Sequence, residues 1–254
     1  MSARAEVVEA FDGADLDPTR WKPSYLPAWA SREENAARWR LTGSSLLLSV
    51  DPDQGLWCAE AHETPMRTST IASGDWSGPL GSGRGPQPFR DGLVVREEQP
   101  RFTGWLVDGG HLEIRCRMSL SPRSMAALWL AGWDEDPDDA GELCVVEVFG
   151  DALGTDPPAA AVGVGIKAKD DPRLREDFAA PRLPIDVADW HTYRVDWDER
   201  EARFAVDGEI VRRCPDPPTY PMVLMVGVFD FPDQPGPAGH VPILEVDRIS
   251  GTSS

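Results

Sequence analysis

The stretch that decides the fold is His191 to Cys214, HTYRVDWDEREARFAVDGEIVRRC. Two runs of alternating apolar and polar residues flank Asp207-Gly208, a dipeptide suited to the type I′ turn of a two-residue hairpin. A hairpin alone cannot bury its apolar face, so partners must lie elsewhere in the chain. Upstream, His111 to Leu120 sets Leu112, Ile114, Cys116 and Met118 on one face, with His111, Glu113, Arg115 and Arg117 on the other. Downstream, Met222 to Phe231 (MVLMVGVFDF) is almost continuously apolar and reads as a central strand buried on both faces. His240 to Ile249 supplies a closing strand. Near the N-terminus, Glu6 to Trp21 begins as a short strand and turns through Asp-Gly and Asp-Pro. Asn35 to Val50 reads as a hairpin about Gly43, and Leu93 to Glu98 as a further strand. Glu63 to Pro88 is rich in Gly, Ser and Pro and is expected to be a long loop, either a cleft lid packed through Trp76 or a mobile insertion. The pattern predicts an all-β antiparallel sandwich. In a chain of 254 residues, a lead-in over residues 1–10 and one domain over 11–250 are expected.

Composition narrows the partners. A net charge of −18 argues against nucleic acid and anionic membrane surfaces. Ten tryptophans suit saccharide binding, because their flat faces cover the C–H faces of sugar rings, although core filling uses the same residue. The opening MSARAEVVEAFDG has no apolar run of the signal-peptide kind, and no segment is long enough to span a bilayer, so a cytoplasmic chain is expected. Cys58, Cys116, Cys144 and Cys214 are widely spaced and form no CxxC pair; they are expected to be reduced thiols.

One strand-like stretch carries charge where burial is expected. Gly141 to Asp151, GELCVVEVFGD, sets Glu142 and Glu147 among Val145, Val146, Val148 and Phe149. A carboxylate there loses hydration and needs a partner, a shifted pKa or a wet cleft. In a regular strand two residues five apart face opposite ways; one bulged residue returns both to one face. Further on, Ala160 to Lys169 alternates Val162, Val164 and Ile166 against Gly163, Gly165 and Lys167, and glycines on one face leave room for a close approach.

These landmarks, from Phe11 to Ile249, resemble glycoside hydrolase family 16, the laminarinases, lichenases, agarases and their relatives. Glu142 to Glu147 resembles the family's bulged ExDxxE signature, with Cys144 where an aspartate usually stands. His111 to Leu120 is similar to its GxxExR strand, ALWLAGW from Ala127 to its PAFWL segment, and His191 to Cys214 to its HxYxxxW and FxVDGxxV block. The resemblance implies a jelly-roll of two curved sheets with a concave-face cleft. It implies a retaining β-glycoside hydrolase or transglycosylase acting on a saccharide, with Glu142 as nucleophile and Glu147 as acid/base. The apolar strand and the charge of Glu142 are expected to push the Glu147 pKa upward. Trp129 takes the cleft position, with Trp133 and Trp76 as further substrate-binding candidates. Lys167 is the counterpart of a family histidine, or else one of a solvated lysine pair answering Asp170 and Asp171. No cofactor is needed, but members often carry a structural calcium on the convex side, where Asp247 is the matching position. Two other readings stay open: a lectin-like module that binds sugar without cutting it, and a cytosolic enzyme using the same cleft on a small metabolite.

Overall fold

Two antiparallel sheets bury their apolar faces against each other in the computed structural model, which describes residues 5–133, 135–237 and 239–253. Residues 1–4 of the lead-in lie outside the described residues. The first sheet runs, edge to edge, Glu209–Pro215, Glu201–Val206, His191–Trp197, Gly110–Ser119, Ile243–Ser253, Leu46–Ser49 and Arg38–Leu41, with Ala5–Glu9 also paired to Ile243–Ser253. Asp207 and Gly208 take φ values of 50° and 85°, the positive pair that a type I′ turn requires. The second sheet runs Asp177–Ala179, Gly163–Lys167, Glu142–Phe149, Ser124–Gly132, Met222–Asp230 and Arg67–Ala72, with Leu106–Val107 paired to the start of Met222–Asp230. Leu112 and Ile114 of the first sheet and Leu128, Leu130, Val146 and Val226 of the second belong to one core between the sheets. This is the jelly-roll sandwich expected from the sequence.

A second apolar cluster lies on the other face of the second sheet. Trp129, Met225 and Phe229 meet side chains carried by loops, among them Trp29, Trp57 and Val95. Met222–Asp230 is therefore buried on both faces, as its unbroken apolar run predicts.

Three readings are corrected. Within Glu63 to Pro88, Arg67–Ala72 is the edge strand of the second sheet. Its hydroxyl residues read as loop, but their partners are built in: Thr68 Oγ1 lies 2.7 Å from Thr70 Oγ1, and Ser69 Oγ donates to the Ser49 carbonyl at 2.6 Å. Leu93 to Glu98 alternates like a strand yet forms none. Its N–H groups reach carbonyls from two different segments, Val95 to Ser82 and Arg96 to Ala28, so no ladder develops. Ala160 to Lys169 divides into Pro158–Ala161, in a small three-stranded sheet, and Gly163–Lys167 in the second sheet. All four cysteines are buried free thiols, as the spacing predicts.

Candidate active site

Register places the two glutamates. Along Ser124–Gly132, Glu142 is opposite Ala131 and Cys144 opposite Trp129; the pairing then slips, so that Val146 is opposite Leu128 and Glu147 opposite Ala127. Val145 is the extra residue. The bulge returns Glu142, Cys144 and Glu147 to the face shared by Ala127, Trp129 and Ala131, while Leu143, Val146 and Val148 enter the core between the sheets. Glu142 and Glu147 line one cavity of about 430 Å³ on this face.

Two lysines face them from the neighbouring strand and the turn after it. Lys167 Nζ donates to Glu147 Oε2 at 2.8 Å and stands 4.6 Å from the centre of the Phe178 ring. Lys169 Nζ lies 3.2 Å from Glu142 Oε1, and Gln87 Nε2 donates to the same oxygen at 2.7 Å. Burial pushes the Glu142 pKa above the usual carboxylate value, against the pull of Lys169 and Lys167. Of the two carboxyls, Glu142 is the more withdrawn from water, its side chain 9% exposed against 16% for Glu147. Burial opposes the charge on Lys167, while the carboxylates of Glu147, to which it is bonded, and Glu142 favour it.

Cys144 is buried between the glutamates, its Sγ 3.6 Å from the Gly163 carbonyl. Burial, with the charge of Glu147 beside it, drives its thiol pKa well above the ordinary value, so the sulfur is neutral. The room left by the glycines goes to protein: a Cβ at Gly163 would stand 2.6 Å from the Phe178 ring, and one at Gly165 2.2 Å from the Asp177 carbonyl.

The other half of the cavity is aromatic. The Tyr25 ring meets Trp57, Trp129 and Phe229 at 5.0, 6.0 and 5.7 Å, and Phe89 packs on Trp57 at 4.8 Å. Charged side chains and flat rings line one cavity, which could hold a ring-shaped molecule beside two carboxylates.

The sequence model described as glycosyl hydrolases family 16 matches residues 107–243, more than half of the chain. The chain belongs to this family. No curated protein matches the sequence. Among solved structures, it is similar to a GlcNAcα1-4Gal-releasing endo-β-galactosidase from Clostridium perfringens, at 20% identity and a TM-score of 0.78 over 96% of this chain and 61% of that one. The chain thus spans about three-fifths of that enzyme's length. It also resembles the catalytic domain of a Thermotoga petrophila endo-1,3-β-glucanase, at 16% identity, a TM-score of 0.66 and 99% of each chain. A laminarinase from a Flavobacterium species follows at 15% identity and a TM-score of 0.61, over 97% of this chain and 99% of that one.

Other candidates fall elsewhere in the family fold. Trp129 lines the cavity; Trp76 and Trp133 do not. They pack on each other, with Trp76 Nε1 donating to the Trp133 carbonyl at 2.8 Å, so Trp76 anchors its loop to the body and is not a lid over the glutamates. Lys167 is no member of a solvated pair with Asp170 and Asp171: it bonds Glu147, and Asp171 is held by Arg173. Asp247 lies on the first sheet, its Oδ2 bonded by Arg115 and its buried Oδ1 without a partner. One free oxygen on a carboxylate already neutralised by a guanidinium does not fit calcium, which takes six to eight oxygens, and the described residues contain no cluster of metal-ligating side chains. Sequence reasoning missed Gln87, Tyr25, Trp57 and Phe89 as site residues, and gave Lys169 no role there. The one available signal was Lys169 itself, since two of the chain's three lysines, Lys167 and Lys169, stand two positions apart.

Proposed function

We propose that the protein is a retaining β-glycoside hydrolase or transglycosylase, with Glu142 attacking the anomeric carbon and Glu147 acting first as acid and then as base. The observation that carries this reading is the bulge at Val145, which turns both carboxylates into one cavity where a regular strand would separate them. Two carboxylates flanking one bond are the apparatus of retaining cleavage. Lys169 and Lys167 favour the ionised Glu142 that attack requires, against the cost of burial. Lys167 occupies Glu147 Oε2, which leaves Oε1 to meet the leaving oxygen. After glycosylation neutralises Glu142, Glu147 takes the proton of an attacking water or sugar hydroxyl, and no cofactor is needed. The solved neighbours named for β-galactoside and β-1,3-glucan cleavage support a β-linked saccharide.

A second reading, a small glycoside with a flat apolar aglycone, is favoured by the aromatic half of the cavity. Trp57 spends its indole N–H on the Tyr25 carbonyl, so its ring offers a face and no hydrogen bond. A panel of aryl β-glycosides and β-glucans, with Glu142→Gln protein as blank, tests both readings. Cleavage of aryl glycosides alone favours the second. Binding of oligosaccharide by calorimetry with no cleavage would replace both with a lectin-like module.

A further inference from the structure

Glu142 is gripped by two residues from different loops. Lys169 and Gln87 both reach Oε1, at 3.2 and 2.7 Å, the second from 55 positions away in the sequence. Both hold left-handed backbone conformations, φ 51° and 45°, which residues with a Cβ seldom adopt. Such outliers persist where the surroundings over-determine them. Beside Gln87, the fully buried Trp29 donates its indole N–H to the Pro86 carbonyl at 2.8 Å, and its ring lies 2.9 Å from where a Cβ at Gly85 would stand. Around Lys169, the Asp171 N–H closes on the Ala168 carbonyl at 3.0 Å and the Ala168 N–H on Glu176 Oε2 at 2.9 Å. Asp171 Oδ1 in turn accepts the Arg173 N–H at 2.8 Å and its Nε at 2.9 Å. Two anchored turns therefore deliver a cation and an amide to one carboxylate oxygen.

The glutamate strand supplies no such support itself. Cys144, where the family usually has an aspartate, is a neutral thiol directed at Gly163. Lys167 is bonded to Glu147. The other ionisable groups around Glu142 are Glu147, Asp170, Tyr25 and His62, which line the same cavity. We infer that Lys169 and Gln87 are positioning residues for Glu142: they hold it ionised and fix Oε1, leaving Oε2 to meet substrate, in place of the carboxyl that Cys144 lacks. This rests on the reading of Glu142 as nucleophile, but the grip is measurable without turnover.

Lys169→Met removes the charge at a half-exposed position, and Gln87→Asn shortens the amide while tolerating a left-handed φ. Glutamate labelled with 13C at the carboxyl is titrated by NMR, with Glu142→Gln assigning the resonance. The Glu142 midpoint should rise by about one unit or more in Lys169→Met, by less in Gln87→Asn, and return in Lys169→Arg. The acidic limb of kcat/KM on an aryl β-glycoside should move upward in step. An unmoved midpoint in folded Lys169→Met protein would overturn the inference and leave both residues as scaffolding. A shifted midpoint in a protein that cleaves no glycoside would uphold the grip and sink the nucleophile reading instead.

Discussion

The two sheets both carry ion pairs across neighbouring strands, and the pairs do different things. On the outer face of the first sheet, Arg117 pairs with Glu245 at 2.7 Å, Arg194 with Glu113 at 3.5 Å, and Arg115 with Asp247. Arg115 and Arg117 also lie over the Trp190 ring at 4.9 and 5.0 Å. These guanidiniums stand in water, where screening leaves an ion pair little net energy. On the cleft face of the second sheet, Lys167 and Glu147 pair with side chains only 22% and 16% exposed, and Glu142 with 9% exposed. Alternation on a strand puts charge on one face in both cases; what lies over that face decides whether the charge decorates or reacts.

The largest break in that comparison is catalytic. Glu142→Gln and Glu147→Gln should each remove nearly all glycosidase activity, by about 100-fold to 10,000-fold for the acid/base, while circular dichroism stays unchanged. Glu245→Gln should leave rates within about twofold, as expected of a surface pair. Azide added to Glu142→Ala should give the glycosyl azide of inverted configuration, and added to Glu147→Ala the retained one. Equal losses from Glu245→Gln would erase the distinction between the two faces.

Next comes a buried carboxyl near the same face. Burial raises the Asp75 pKa to about 7, offset only in part by the Trp76 N–H, Arg32 and Lys22. A folded pKa above the unfolded one means that stability is fully present below about 4 and is lost as pH rises through about 7. Asp75→Asn should therefore exceed wild type in stability at pH 8, by at most about 4 kcal/mol for a shift of roughly three units, with the gap closing toward pH 4. Urea denaturation at pH 4, 6 and 8 measures it. Glu142→Gln should show the same sign, since burial raises that pKa too. A gap that does not change with pH would mean that Asp75 is hydrated.

Cys144→Asp brings the site and the proposed grip together. Placing a carboxyl at a fully buried position between Glu142 and Glu147 should cost about 3 kcal/mol, more at pH 8 than at pH 5. Alone it should not raise turnover, because Lys169 and Gln87 already hold Glu142; in a Lys169→Met background it should recover part of the lost rate. A several-fold gain from Cys144→Asp with Lys169 intact would show that the lysine is no full substitute.

How far such features were legible depended on how local their causes are. The Asp207-Gly208 hairpin and the Val145 bulge follow from backbone rules within a few residues, and the structure has both. Arg67–Ala72 was hidden because its hydroxyls resemble loop chemistry until Ser49 and Val228 are beside them. Leu93 to Glu98 misled for the opposite reason: burial of Leu93 and Val95 with Val94 exposed gives strand alternation without any ladder partner. Gln87 was invisible because its contact depends on the path of a loop fixed by Trp29, nearly sixty residues upstream. Family resemblance located the glutamates but gave no warning that the groups holding them would come from outside the motif.

The smallest expected effect tests burial itself. Lys167→Met removes one partner from a mostly buried, hydrogen-bonded pair and should cost about 1.5–3 kcal/mol, the range for bonds to charged groups. Arg117→Gln removes one partner from a pair whose guanidinium is 45% exposed and should cost under about 1 kcal/mol. Each single change also alters packing, Lys167 over Phe178 and Arg117 over Trp190, so the two are best compared as double-mutant cycles with Glu147→Gln and Glu245→Gln. The Lys167–Glu147 coupling should be the larger and should persist at 1 M salt, while the Arg117–Glu245 coupling fades as the screening length falls to about 3 Å. Similar couplings that fade together would mean that water reaches Glu147 as freely as it reaches the outer sheet. The cleft would then owe its chemistry to the placement of its carboxyls and nothing to their withdrawal from solvent.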